Sequence, residues 1–281
     1  MDIRQRFATA ARAERPDLAL LCLLIEAQAA GPARSGAEVD REIDQAQITL
    51  DDLAGELPYL HQASPERWAT VLADLLGGRF GFHGVPADYE RLDSSLLGAV
   101  LRRRRGLPIL LSVVWLEVAR RAGAPVFGVA LPGHFVVGLG DPTGEHVLAD
   151  PFAAGRLLTD GDVATLVERA TGERLTPGAL PTPQPADTLD IVRRILANIR
   201  AWAGDRPDRS EVRLWAVDLA LLLPRHPAEL RQERARLLIQ RGDFLGGARE
   251  LESYAEVVAA VDGEAARELR RLARAARARL N

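Results

Sequence analysis

A chain of 281 residues, 47 % apolar and 27 % charged, has enough hydrophobic material to bury a sizeable core and is too balanced in composition for global disorder. Its formal charge of -3 supplies no global attraction to nucleic acid or to an acidic lipid surface. A single cysteine, Cys22, excludes an intramolecular disulfide, a cysteine zinc cluster and a CxxC redox pair.

Residues 18 to 25 around Cys22 are apolar throughout, the setting of a buried thiol on a helix rather than of an activated one. Arg4, Arg6, Arg12 and Arg15 precede this run in the manner of a signal peptide. Asp17 and Glu26 bracket it, however, and it is too short to span a bilayer. It is read as the first core helix of a cytoplasmic protein with no membrane partner.

Residues 3 to 30 read as one or two helical segments, the second opened by Pro16-Asp17 and closed by Gly31-Pro32. Val39, Ile43, Leu50, Leu53 and Leu57 give a mostly helical spacing that Pro58 interrupts. Pro65-Glu66 starts the next helix, with Trp68, Val71, Leu72, Leu75 and Leu76 on one face, and Gly77-Gly78 stops it. Residues 79 to 95 read as an irregular connection. Residues 108 to 122 form a helix that is apolar almost all round, hence central and buried, with one wet edge at Glu117, Arg120 and Arg121. The period then changes: residues 126 to 131, 135 to 139 and 147 to 149 read as strands separated by Pro132-Gly133 and by Asp141-Pro142-Thr143-Gly144. Pro177, Pro181, Pro183 and Pro185 suit an extended linker. From residue 189 onward short amphipathic helices joined by Pro224-Arg225-His226-Pro227 and Gly242-Asp243 suggest stacked hairpins, and the Arg-rich stretch 264 to 279 reads as the solvated face of a capping helix or as an anionic contact surface.

The strongest chemical constellation is Pro132-Gly133-His134-Phe135 with Asp150-Pro151-Phe152. In a hairpin turning at residues 141 to 144, positions 134 and 150 lie almost equally far from the centre and come side by side. A carboxylate beside an imidazole is the orienting pair of a nucleophilic triad, or a hydrogen bond that ties the hairpin together. A nucleophile should sit at the start of the neighbouring buried helix, where unpaired amides favour negative charge. That first turn is Gly106-Leu107-Pro108-Ile109, and Ser112, about one turn later, is the nearest hydroxyl. Ser94 and Ser95 read as capping or turn residues. His61, His83, His146 and His226 form no metal motif with His134, and no glycine-rich phosphate loop is present, so no cofactor is expected. The run Arg102-Arg103-Arg104-Arg105 reads as a solvated surface with one or two carboxylate pairs, or as a site for a phosphate or acidic peptide; without an aromatic stripe it does not read as a nucleic-acid site.

Residues 100 to 112 and 116 to 123, together with Pro132-Gly133-His134-Phe135 and Asp150-Pro151-Phe152, closely resemble the bacterial SirB-type family. Leu196, Asn198 and Ile199, Leu222-Leu223-Pro224, Gly242-Asp243-Phe244 and Ala248 extend the likeness through the tail. The resemblance implies an α+β fold: a helical N-terminal region (1–93) packing on a transglutaminase-like, papain-like core with a small antiparallel sheet (94–171), then a proline-rich linker (172–188) and tetratricopeptide-like hairpins (189–281). It also implies a Cys-His-Asp triad in the wider superfamily, with His134 and Asp150 as two members and the cysteine at or beside Pro108, where the SirB-type branch characteristically has proline. The chain departs from that branch at Ser94-Ser95, Gly84-Val85 and Glu233-Arg234-Ala235, where relatives have Asn-Ser, Gly-Asn and Asp-Arg-Gly. The reading that follows is a non-enzymatic interaction or regulatory protein with a protein or peptide partner on its helical tail. The alternative is a hydrolase or transferase of amide or ester bonds, with His134 as base, Asp150 orienting it, and Ser112 or a water as nucleophile.

Overall fold

The computed structural model describes residues 2–31, 34–172 and 183–279. The chain divides into two compact units, Arg15–Ile195 and, separately, Asp2–Glu14 with Leu196–Asn281.

Helices α1 (Ile3–Ala11) and α2 (Leu18–Ala29) are divided near Pro16, and Asp17 caps α2 by accepting the Leu20 N–H at 2.9 Å. Helix α3 (Gly36–Gly55) opens on reciprocal Ser35 and Glu38 bonds, a capping box that was not part of the sequence reading. Helix α4 (Pro65–Leu72) starts at Pro65 behind the Ser64 cap. The expected stop at Gly77-Gly78 is absent, because the coil continues as wide π-type turns over Ala73–Arg79. The glycine has another use: a Cβ on Gly77 would overlap the Ala154 carbonyl, so Gly77 marks a close approach rather than a helix end.

Short 3-10 turns at Pro86–Glu90 and Leu92–Ser95 lead to α5 (Leu97–Arg103), whose end is turned by Arg104 at φ 57. Helix α6 (Pro108–Arg121) has proline in its first turn, where a missing N–H costs nothing, and is buried at every position from Pro108 to Ala119. That includes Glu117, expected on a wet edge; Arg120 and Arg121 both fold over its carboxylate and neutralise it.

Strands β1 (Val126–Leu131), β2 (His134–Gly140), β3 (His146–Asp150) and β4 (Arg156–Leu158) form an antiparallel sheet in that order. The sequence reading has no counterpart for β4 or for α7 (Asp160–Thr171), which Thr159 caps. On one sheet face Phe135 and Leu116 of α6 fill the space left by Gly128. The other face carries Phe127, Val129 and Val136 with Leu131, Leu148 and Leu158. Beyond α7 the expected linker is extended where it is described: Pro185 bridges Val129, and the Ala186 N–H donates to the Gly128 carbonyl at 2.8 Å. Pro177 and Pro181 lie outside the described residues.

Helix α8 (Thr188–Gly204) gives its first turns to the first unit and the rest to the second. The second unit continues with α9 (Ser210–Leu222), α10 (Glu229–Gln240), α11 (Phe244–Val258) and α12 (Gly263–Ala278). Small buried residues, Ala235, Ala248, Ala255, Ala266 and Ala273, let α10, α11 and α12 pack closely around Leu251 and Leu269. Helix α1 belongs here too, held by Arg4 to the Asp218 carboxylate of α9 at 2.8 Å. Residues 1–93 are therefore shared between the units, with Phe7 and Ala11 the buried residues of α1.

Candidate functional site

The turn Pro132-Gly133 sets the position of His134. Gly133 takes φ 65, the positive value that the second corner of a type II turn requires, so His134 begins β2 directly opposite Leu131. Asp150 ends β3, opposite Arg156 of β4. Within the β2–β3 ladder Val137 pairs with Ala149, so one further step puts Asp150 across from Val136, not from His134. The hairpin centre lies half a turn residue later than the sequence symmetry suggested, and the pair meets on the diagonal. The two positions differ by two along β2, so they still share a sheet face, within reach of an imidazole.

The contact is made: His134 Nε2 lies 3.0 Å from Asp150 Oδ1, with both residues buried. The same carboxylate oxygen accepts the Phe152 N–H at 3.0 Å, closing the Pro151–Ala153 turn. Because the carboxylate can only accept, Nε2 carries the hydrogen and Nδ1 is the basic nitrogen of the neutral ring. Among the described residues Nδ1 has no hydrogen-bond partner, and it is not sealed from solvent.

Phe152 organises the surroundings. Its ring meets the His134 imidazole edge-on at 6.0 Å and the Tyr89 ring at 6.0 Å. The Gly84 N–H donates to the Phe152 carbonyl at 2.9 Å, and a Cβ on Gly84 would overlap the Phe152 ring. Burial pushes the Tyr89 phenol up, the nearby Asp150 carboxylate adds to that, and Arg194 opposes it. Arg194, from the first turns of α8, donates through Nη2 to the Leu131 carbonyl at 2.8 Å and the His134 carbonyl at 2.6 Å, with its guanidinium 5.6 Å from the Phe135 ring centre. Sequence reasoning missed Tyr89 and Arg194, and no local motif announces either one.

Ser112 is not a partner of this imidazole. It is fully buried on α6, and its hydroxyl donates to the Phe135 carbonyl at 3.2 Å, so it ties the helix to β2 as a core hydrogen bond. Pro108 offers no nucleophilic group at the first position of the same helix. Ser94 also turns elsewhere, lying 3.4 Å from both Asp88 and Arg103.

The arginine run resolves into separate duties. Arg102 pairs with Glu26 at 3.0 Å, whose carboxylate also receives the Gly98 N–H at the start of α5. Arg103 and Arg105 both reach the buried Asp88 carboxylate, at 3.2 and 3.0 Å, and Arg104 lies over the Phe80 ring at 5.4 Å. Burial alone would raise Asp88, but the Val85 N–H and the two guanidiniums hold it below the usual carboxylate range.

His83, His146 and His226 each bond a carbonyl of their own loop, and among the described residues no group of three His, Cys, Asp or Glu could hold a metal ion. Among the same residues no helix is long and apolar enough to cross a membrane. The Cys22 thiol is pushed up by burial, reinforced by the charges of Glu117, Asp17 and Glu26.

Residues 44–197 match a family model described as the transglutaminase-like superfamily, and residues 199–281 one described as tetratricopeptide repeat. A UPF0162 protein of Xylella fastidiosa is 37 % identical over 187 residues, 64 % of each chain, and one of Pseudomonas aeruginosa is 32 % identical over 213 residues, 73 % of each. An 85-residue stretch, 28 % of this chain, is 33 % identical to 14 % of the F-box only protein 21 of Mus musculus. The chain spans 64 % of the length of its Xylella relatives. It belongs to the transglutaminase-like superfamily, as a transglutaminase-like core followed by a tetratricopeptide-like helical region that matches the bacterial UPF0162 proteins.

Proposed function

We propose that this chain is a non-enzymatic interaction or regulatory protein, in which a degenerate transglutaminase-like core braces a helical-repeat tail that receives a protein or peptide partner. The observation that carries the reading is the fate of the hydroxyl and thiol groups around the retained pair: Pro108 fills the first turn of α6, and Ser112 spends its hydroxyl on the Phe135 carbonyl. On this account the His134–Asp150 bond is structural, holding the end of the β2–β3 hairpin closed. Stacked helical hairpins offer a long concave face suited to a partner. The recurrence of an 85-residue segment inside the much longer F-box only protein 21 supports a portable module. The SirB-type affiliation, cytoplasmic residence, and the division into a core at 94–171, a linker at 172–188 and a tail from 189 onward belong to the same proposal.

A second reading rests on one observation. The open Nδ1 of His134, oriented by Asp150, is a base able to activate a bound water against an amide or ester. The two readings separate in one experiment with the full chain: turnover of a panel of p-nitrophenyl esters and peptide amides by wild type, Ser112→Ala and His134→Gln. Equal background turnover in all three supports the interaction reading. Turnover that disappears in His134→Gln while the variant remains folded overturns it, and survival of that turnover in Ser112→Ala assigns the nucleophile to water.

A further inference from the structure

Among the described residues, one half-buried guanidinium near Phe152 stands without an ion-pair partner. Arg103, Arg105 and Arg121, half-buried guanidiniums of the same unit, each have a carboxylate at ion-pair distance. Arg194 is equally half-buried, and among the described residues its only acceptors are the Leu131 and His134 carbonyls, both taken by Nη2. Its Nη1 and Nε hydrogens have no acceptor among the described residues, and neither nitrogen is sealed from solvent. A half-buried cation without a carboxylate beside it is only partly compensated by solvent, and burial depresses its proton affinity. Tyr89 stands within electrostatic range of this guanidinium, and the residue is 47 % exposed although its ring meets that of Phe152. A cation anchored by two carbonyls, a phenol donor and an apolar ring therefore gather around Phe152, next to His134.

We infer that Arg194 and Tyr89 form a binding site for a carboxylate, with Phe152 as its apolar wall and the His134 imidazole as its neighbour. The ligand class follows from the charge count. One guanidinium matches a monoanion, and because the repulsion from the Asp150 carboxylate within range of the same phenol grows with ligand charge, a dianionic phosphate is penalised about twice as much as a carboxylate. The carboxylate would belong to a peptide C-terminus or an acidic side chain, whose remaining atoms can lie along the ring of Phe152. Arg suits this task because its unused donors stay fixed while Nη2 is anchored. The site stands independently of the interaction reading, since a receptor and an enzyme could both use it.

The test is a titration of the full chain, labelled with 13C-histidine, with sodium acetate against sodium chloride at constant ionic strength. The His134 ring signal, identified by its loss in His134→Gln, should shift saturably with acetate and not with chloride. Arg194→Met should weaken the acetate response about tenfold or more, the loss expected for one charge-assisted hydrogen bond, and Tyr89→Phe about fivefold. If Arg194→Met does not fold, the Tyr89→Phe variant decides alone, because Tyr89 is exposed and its hydroxyl has no hydrogen-bond partner among the described residues. Absence of a saturable shift, an affinity unchanged by Tyr89→Phe, or inorganic phosphate binding more tightly than acetate would each overturn the inference.

Discussion

Asp88 holds the arginine run in place, and its removal should be among the most damaging single changes in the first unit. Its side chain is 2 % exposed, while Arg103 and Arg105, which pair with it, are 28 % and 31 % exposed. Asp88→Ala strands both guanidiniums and the Val85 N–H, which now donates to Asp88 Oδ2 at 2.9 Å. Breaking a buried pair costs about 3–5 kcal/mol, and because the arginines keep some water the lower end applies, roughly 3 kcal/mol. In a chain of this size that is a fall in Tm of about 6–12 °C, readable by far-UV circular dichroism. Asp88→Asn keeps the shape but not the charge and should fall about half as far. The effect also has a pH signature. Since the folded carboxyl sits below its unfolded value of about 3.9, its contribution is complete above that pH and is lost as pH falls through the lower folded value. The wild-type advantage over Asp88→Asn, measured by urea denaturation, should stay constant from neutral pH to about pH 5 and then shrink. A fall in Tm below about 2 °C, or an advantage that grows on acidification, would refute the account and return the run to solvent.

Two further outcomes test other parts of the first unit. Gly84→Ala should displace the Phe152 ring, cost about 1–3 kcal/mol in denaturation, and move the His134 ring signals, since that ring packs edge-on to the imidazole. Hydrogen bonds from the Thr159 N–H and hydroxyl, then from Arg156, push Asp162 down to about 2. Its 13C carboxyl titration should show that midpoint, with the cap of α7 intact above about pH 3.9 and released as pH falls through the folded value; a midpoint near the ordinary carboxylate range would rule out the cap.

How far the sequence could be read depended on whether a feature was local. The Pro132-Gly133 turn, the apolar run of β2 and the Asp150-Pro151 corner lie within twenty residues of one another, so the pairing of His134 with Asp150 was visible before its register was. The register itself escaped, because turn symmetry cannot distinguish direct from diagonal neighbours on one face. Helix α6 announced its burial through composition, but not the use of Ser112, since a carbonyl partner on another element leaves no pattern. Arg194 lies sixty positions beyond the His134 carbonyl that it grips, in a stretch where an arginine reads as ordinary helix surface. Gly77-Gly78 illustrates the opposite error: a local signal was present, but it recorded the approach of Ala154 rather than the end of a helix.

The standing of Pro108 can be tested by chemistry rather than by likeness. If it occupies the place of a lost nucleophile, Pro108→Cys should recreate a thiol at the first turn of α6, where unpaired amides lower its proton affinity, and within reach of the open Nδ1 of His134. The chain offers a clean background, because Cys22 is its single cysteine and is buried with its thiol pushed up. Native wild type should therefore resist iodoacetamide, while Pro108→Cys takes up one equivalent. An imidazole that stabilises the thiolate should make alkylation at neutral pH about tenfold faster than in the Pro108→Cys, His134→Gln double variant. Proline itself is favourable in a first turn, so the substitution adds an N–H where one is tolerated and should leave the helix standing. Equal rates with and without His134 would place position 108 out of the imidazole's reach, and the pair would then be a hairpin tie with no vanished third member.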